Sequence, residues 1–442
     1  MCDTILIIGI GRTGLSCARF LAAQKQSFAV LDNRLNPPLL AQFKKEFPDI
    51  SITLGDFNET QLKQAKKIIL VPGLSRHQAL FKEVDDKIIG DIELFMQETR
   101  DLACQIVLIT GSNGKSTATT LLLEMAQKAG IKAVAGGNLG EPALDLLSQK
   151  ADLYILELSS FQLETTPNIH STAATVLNIS PDHMDRYQDF AHYAQTKQHI
   201  YQNTLNSIVN LDDIESQKNS QGTVIGFSLD PEFNQGWHLQ ITKGQEFIAY
   251  QQQNKLATNE LQMMGQHNIA NVLACLNLAQ SLNLPEESLI AAIKDYKGLT
   301  HRTERVPSPH SIMWINDSKA TNVGACVAAI NGLGSKVKQN IVLIAGGQSK
   351  GADFSELLQP VLQFVHHVIL FGEDREKIRQ VLLDKCGLIM VNTLDEAVNH
   401  ASEIAEKNDI VLFSPACASF DLFKNFEHRG DCFKQAVTRL PR

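Results

Sequence analysis

Residues Thr110–Thr117 read TGSNGKST, behind the apolar run Ile106–Ile109 and ahead of a helix-like stretch, Ala118–Ala129. A glycine-bearing turn between strand and helix leaves backbone N–H groups facing an anion, and the helix N-terminus adds a partial positive charge. Lys115 can reach the outer phosphates as a point charge, and the hydroxyls of Ser116 and Thr117 can meet Mg²⁺. Gly111, Ser112, Asn113 and Gly114 complete the loop. It is a short one, because Gly111 and Gly114 enclose two residues and Ile109 stands where the usual first glycine would fall. That argues against an ordinary switch GTPase. The expected ligand is ATP or GTP.

Other stretches carry further chemistry. Gly9-Ile10-Gly11-Arg12-Thr13-Gly14 matches G-x-G-x-x-G after a strand, and Asp32 ends the next strand about 20 residues on. The pattern suits NAD, a plain strand-to-helix turn, or another pyrophosphate-linked nucleotide such as a UDP-sugar. Glu157 ends the strand run Leu153–Leu156, where it could face Mg²⁺ or serve as a helix cap. Asp182, His183 and Asp185 follow another apolar strand, either as ligands for an oxygen-liking cation or as a polar turn. Lys197 reads as a solvated helix lysine. Three loops, Asn316–Asn322, Gly346–Lys350 and Ser414–Ser419, each follow a strand and could form a crevice for a small anion.

The elements that must position these residues are short apolar strands alternating with helices. Strands are expected at Ile5–Ile8, Phe28–Leu31 and Ile68–Val71, then at Tyr154–Leu156 and Ala173–Leu177. The last set is Met313–Ile315, Ile341–Ala345, His367–Phe371 and Ile410–Phe413. Such alternation implies parallel sheets covered by helices. Between them, Ser207–Leu261 suggests short alternating strands, and Asn268–Leu282 an amphipathic helix. At 442 residues the chain fits two or three domains. The net charge is −8 and no run of Lys or Arg stands out, so no nucleic-acid partner is expected. No leader and no bilayer-length apolar segment is read, so no membrane is expected and a cytoplasmic location is. The eight cysteines lack C-x-x-C spacing, as reduced core thiols do.

TGSNGKST, LELSSFQLE (156–164), DHMDRY (182–187), GQHNIAN (265–271), His301-Arg302, NDSKATN (316–322) and SPACASFDLFKNFEHRG (414–430) together resemble the Mur ligases. LELSSFQLE, NDSKATN and the C-terminal block point to the branch that adds D-glutamate. The match runs in order along nearly the whole chain.

The resemblance implies an α/β fold of three domains: Rossmann-like 1–93 for the UDP substrate, P-loop ATPase-like 94–298 for ATP, and Rossmann-like 299–442 for D-glutamate. It implies ATP-dependent ligation of D-glutamate to UDP-N-acetylmuramoyl-L-alanine through an acyl phosphate, with Mg²⁺, by a monomer. Lys115, Glu157, His183 and Lys197 become catalytic residues. Ser116, Thr117, Glu157, His183 and a carbamylated Lys197 become metal ligands. Asn268, Asn271, Arg302 and Asp317 join the ATP site.

For the substrates, the turn Gly11, Arg12, Thr13 with Asp32, Asn33, Arg34 and Gly73 is reread as a UDP site. Asn138, Ser159 and His183 lie toward the alanyl end, and Lys319, Thr321, Lys350, Ser419 and Phe426 toward D-glutamate. Arg12, Val71 and Thr303 depart from the family pattern. An NAD-dependent oxidoreductase, a nucleotide switch and a folylpolyglutamate-type ligase are the competing readings. The first two leave the C-terminal crevice unexplained, and the C-terminal block argues against the third.

Overall fold

In a computed structural model describing residues 4–57, 59–308, 312–334, 341–349 and 351–440, the first apolar runs form a five-stranded parallel sheet. Its strands are β1 (Ile5–Ile8), β2 (Phe28–Asp32), β3 (Ile52–Leu54), β4 (Lys67–Leu70) and β5 (Ile88–Ile89), in spatial order β3-β2-β1-β4-β5. All four β1 side chains are buried, as a strand covered on both faces requires. The helix Arg12–Ala23 packs back through Leu15, Ala18 and Leu21. The turn that joins it to β1 depends on glycine. A Cβ on Gly9, whose φ is +114°, would meet Val71 Cγ2 at 2.4 Å, and one on Gly14 would meet the Gly9 carbonyl oxygen at 1.9 Å.

The second sheet holds β6 (Gln105–Thr110), β7 (Ala133–Gly137), β8 (Leu153–Glu157), β9 (Ser171–Val176), β10 (Thr204–Asn210) and β11 (Thr223–Phe227). All are parallel, in order β11-β10-β9-β6-β8-β7, with β6 near the middle. The helix after the phosphate loop spans Lys115–Lys128, so it begins three residues before the expected Ala118. Gly114 ends the loop in a left-handed conformation, φ +83°, and the Lys-Ser-Thr run forms the first helical turn. The helix Gln266–Ser281 covers the same core through Val272, Leu273 and Leu276.

The stretch expected to hold short strands forms an antiparallel meander, β12 (Trp237–Thr242), β13 (Gln245–Tyr250) and β14 (Gln253–Ala257). Asn277 secures it to the helix, accepting from the Trp237 N–H at 3.3 Å and donating to the Trp237 carbonyl at 3.2 Å.

The third sheet contains β15 (Glu304–Val306), β16 (Met313–Asn316), β17 (Ile341–Gly346), β18 (Val365–Phe371), β19 (Gly387–Met390) and β20 (Ile410–Phe413). Its order is β15-β16-β20-β17-β18-β19, and only β15 runs antiparallel to its neighbour. The molecule is thus a three-domain α/β protein with Rossmann-like ends and an ATPase-like centre. Among the described residues Cys17, Cys104, Cys275, Cys326, Cys386, Cys417 and Cys432 carry free thiols. No helix among the described residues is long and apolar enough to cross a membrane.

Because Gly14 has no room for a methyl group, Gly14→Ala is expected to destabilise the chain by about 1–3 kcal/mol. Thermal denaturation should register this as a lowered midpoint; an unchanged midpoint would show that the turn relaxes freely.

Candidate active site

The phosphate loop is held from outside rather than by its own backbone. The Asn178 side chain accepts from the Asn113 N–H at 2.9 Å and donates to the Asn113 carbonyl at 3.1 Å. The Ser112 N–H donates to the Asn178 carbonyl at 2.9 Å, and Ser112 Oγ lies 3.0 Å from the Tyr193 hydroxyl. Asn271 packs so closely that a Cβ on Gly114 would lie 2.4 Å from its Oδ1. Lys115 arches over the loop and donates to the carbonyls of Gly111 at 2.7 Å and Ser112 at 3.0 Å. Arg302, from the start of the third sheet, donates to Ser116 Oγ at 2.9 Å. Burial lowers the pKa of both cations from the ordinary range. Asn178 and Tyr193 were missed as loop supports; the available signal was an asparagine directly after a buried strand.

Glu157 is buried at the end of β8, so it is neither a helix cap nor an exposed charge. Its Oε1 accepts from Asn138 Nδ2 at 2.6 Å, while Oε2 is buried without a hydrogen-bond partner among the described residues. The residue-level reading of Lys197 as solvated is overturned. Lys197 is 2% exposed, and its Nζ donates to the Gly111 carbonyl at 3.0 Å. Burial, then the neighbouring Lys115, pushes its pKa well below the ordinary lysine value, which favours the neutral amine.

His183 sits on a turn with φ +57°, its ring 4.7 Å from that of Phe161. The adjacent Asp182 accepts from Asn322 Nδ2 at 3.1 Å, a contact between the second and third domains. Ser159 caps the helix Ser160–Leu163 in a reciprocal box with Gln162. Among the described residues no three His, Cys, Asp or Glu side chains converge as a closed metal cage. The orphaned Glu157 oxygen nevertheless fits a hard cation that takes its other ligands from hydroxyls, water and phosphate.

A cavity of about 320 Å³ opens beside the loop. Gly114, Thr117, Asn268, Asn271, Arg302 and Asp317 line it, and so does Lys319. Asp317 accepts from the Thr303 N–H at 3.1 Å and from Ser414 Oγ at 2.8 Å; burial pushes its pKa up to about 7. Three lining features were not foreseen: Phe227, the imidazole of His267, and an alanine wall of Ala325, Ala328 and Ala329. Burial lowers the His267 pKa to about 4 and keeps its ring neutral. Thr303 lies with φ +45° and its hydroxyl 3.5 Å from His267 Nε2.

Lys319 leaves the same cavity toward Phe426, with its Nζ 3.8 Å from the ring centroid, and burial lowers its pKa to about 8. Arg429, absent from the expected site, ties two of the expected loops together. It donates to Ser318 Oγ at 3.1 Å, to the Ser318 carbonyl at 2.7 Å and to the Cys417 carbonyl at 3.0 Å. Thr321 follows Lys319 within the first of these loops, and buried Ser419 lies in the second. Lys350 lies outside the described residues.

The third group is separate, on the C-terminal edge of the first sheet. Gly11 and Thr13 follow β1, Asn33 follows β2, and Gly73 follows β4. Asp32 does not present an open carboxylate there. Its oxygens accept from the Ile10 N–H at 2.6 Å and from the Arg34 N–H and Nε at 2.9 Å. Burial pushes the Asp32 pKa up, but these bonds outweigh it and hold the carboxyl below its ordinary value. Arg12 reaches across to the second domain and donates to the Gly140 carbonyl at 2.7 Å.

Comparison with known proteins covers the same three regions. Residues 3–92 match the Mur ligase MurD-like N-terminal domain, 109–279 the Mur ligase middle domain, and 301–417 the Mur ligase glutamate ligase domain. A UDP-N-acetylmuramoylalanine–D-glutamate ligase of Nitrosococcus oceani is 43% identical over 99% of this chain and 97% of its own. One from Pseudomonas aeruginosa is 44% identical, covering 98% of each chain. The solved structure of MurF ligase from Thermotoga maritima in complex with ADP superposes with a TM-score of 0.63 over 98% of this chain and 94% of that one, at 14% identity, a likeness of fold. The order of the three regions and the full-length identity place the chain in the Mur ligase family.

Proposed function

We propose that the chain is an ATP-dependent amide ligase that joins D-glutamate to UDP-N-acetylmuramoyl-L-alanine in peptidoglycan precursor synthesis. The observation that carries this reading is Lys319. It lines the nucleotide cavity with Gly114 and Thr117, yet its ammonium lies against Phe426. A phosphoryl donor and a carboxylate-bearing amine could therefore meet in one cleft. The full-length relatives supply the identities of the two acceptors. Residues 1–93, 94–298 and 299–442 would hold the UDP substrate, ATP and D-glutamate respectively. A cytoplasmic location follows from the use of ATP and a UDP-sugar.

In the first step the alanyl carboxylate attacks the γ-phosphorus, the bond to the β-phosphate oxygen breaks, and ADP leaves. Lys115, Arg302 and the loop N–H groups would offset charge on the transferring group. Gly111, Ser112, Asn113 and Gly114 supply those N–H groups, while Asn268, Asn271 and Asp317 position the nucleoside. In the second step the D-glutamate amine attacks the acyl phosphate carbon and loses a proton. The C–O bond then breaks, releasing phosphate and leaving the amide.

Lys319, Thr321, Lys350, Ser419 and Phe426 would hold the incoming dicarboxylate. Asn138, Ser159 and His183 would hold the alanyl end, and Gly11, Arg12, Thr13, Asp32, Asn33, Arg34 and Gly73 the UDP end. Ser116, Thr117, Glu157 and His183 would hold Mg²⁺, which lowers the repulsion between the two anions that must meet. A neutral, buried Lys197 amine is the form that adds CO₂, and the resulting carbamate would give that site a further anionic ligand.

Phosphate release with ATP, Mg²⁺ and UDP-N-acetylmuramoyl-L-alanine should require D-glutamate and should fail with L-glutamate, glycine or no amino acid. Turnover independent of the amino acid would overturn the acceptor assignment. Lys115→Ala should lower turnover by about 10²–10³-fold with the fold intact; activity within tenfold of wild type would remove Lys115 from its role.

The charge of Lys319 predicts a pH dependence. With its pKa lowered to about 8, the ammonium is present below that pH and lost above it. D-glutamate binding, followed by calorimetry on the ternary complex, should weaken as pH rises from 7 to 9. Lys319→Ala should bind weakly throughout and lack that slope.

A further inference from the structure

Arg186 has no part in the roles assigned so far, yet it touches two of the substrate regions. Its guanidinium donates to the Pro72 carbonyl at 3.1 Å and to the Leu74 carbonyl at 3.2 Å, on either side of exposed Gly73. On the second domain it pairs with Glu164, through NH2 to Oε2 at 2.7 Å and Nε to Oε1 at 3.3 Å. The pair is nearly dry, with side-chain exposures of 11% and 3%. Its guanidinium carbon lies 3.8 Å from the centroid of the Phe161 ring, the ring that packs against His183. The backbone N–H of Arg186 closes the His183 turn at 2.9 Å.

Peptide geometry gives these contacts a direction. In a trans peptide the carbonyl and the following N–H point opposite ways. Drawing the Pro72 carbonyl toward Arg186 therefore turns the Gly73 N–H away from it. The Leu74 carbonyl does the same for the Ser75 N–H. Two donors are thereby turned away from the domain contact, as an anion-binding turn requires. An anion that draws on the Gly73 N–H polarises the same peptide and strengthens its carbonyl as an acceptor for Arg186. Arg186 is in turn stacked on Phe161, beside His183.

We propose that Arg186 is a positioning residue that sets the diphosphate-facing turn and the His183 turn together, so that occupation of one site tightens binding at the other. This rests on the functional reading above. The reciprocal benefit is a coupling free energy, measurable from either ligand.

The test is calorimetric titration of UDP-N-acetylmuramoyl-L-alanine with and without a non-hydrolysable ATP analogue and Mg²⁺. Wild type should bind the UDP substrate at least about fivefold tighter when the nucleotide is present. Arg186→Met combined with Glu164→Gln, which leaves no unpaired buried charge, should reduce that factor to near one while the melting temperature stays close to wild type. Arg186→Lys retains a donor and should recover part of the coupling. The affinity for the ATP analogue alone should be unchanged in all variants. Wild-type binding without coupling, or full coupling in the double variant, would overturn the role of Arg186. Failure of the wild type to bind the UDP substrate at all would overturn the functional reading, and this proposal with it.

Discussion

Three basic side chains, buried Lys197 and half-buried Lys115 and Arg302, share the buried carboxylate of Glu157, and most of the architecture serves that arrangement. Two unit charges about 4 Å apart interact by about 4 kcal/mol at an effective dielectric of 20, and each buried ion costs several kcal/mol in lost hydration. No single domain core could hold such a cluster without compensation. Lys197 escapes the repulsion by favouring its neutral form. Lys115 and Arg302 are satisfied by loop carbonyls and the Ser116 hydroxyl. A polyphosphate entering this field meets donors already oriented, with little reorganisation left to do.

The same constraint explains why the parts come from different domains. A strand edge can present one or two groups at a given depth, because successive side chains alternate between faces. Glu157 ends β8, the phosphate loop ends β6, and Arg302 lies just before β15. Their convergence needs the second and third sheets to face each other at their edges. Arg429 then has a comparable task within the third domain, where it fixes two loops that regular structure leaves free.

The phosphate loop was legible because its chemistry is written in consecutive residues. The apolar strands were legible for the same reason, and most were placed within a residue or two. Lys197 was not, since a helix carries no mark of which face meets a loop 86 positions away in sequence. The contacts between distant residues were hidden likewise, even where the resemblance had named one of the partners. Arg302 meets Ser116 across 186 positions, and Arg186 meets Pro72 across 114. The helix at Lys115 began early because polar residues that read as loop had become its first turn, where backbone N–H groups need no partner within the helix. Nor could the sequence show that Arg34, two positions beyond Asp32, folds back onto its carboxylate.

The cavity beside the phosphate loop is walled on one side by Ala325, Ala328 and Ala329, side chains with no polar atoms. Such a wall recognises flatness and thickness and ignores the pattern of donors and acceptors on a ring edge. Any inhibitor that gains affinity by filling this side relies on a surface that a single alanine-to-valine exchange can thicken. The neighbouring polar residues, which the nucleotide itself would need, could stay as they are. Resistance would therefore be expected first on the helix Val323–Gly334, which carries these alanines, and compounds anchored on Asn268 and Asp317 instead would be harder to evade.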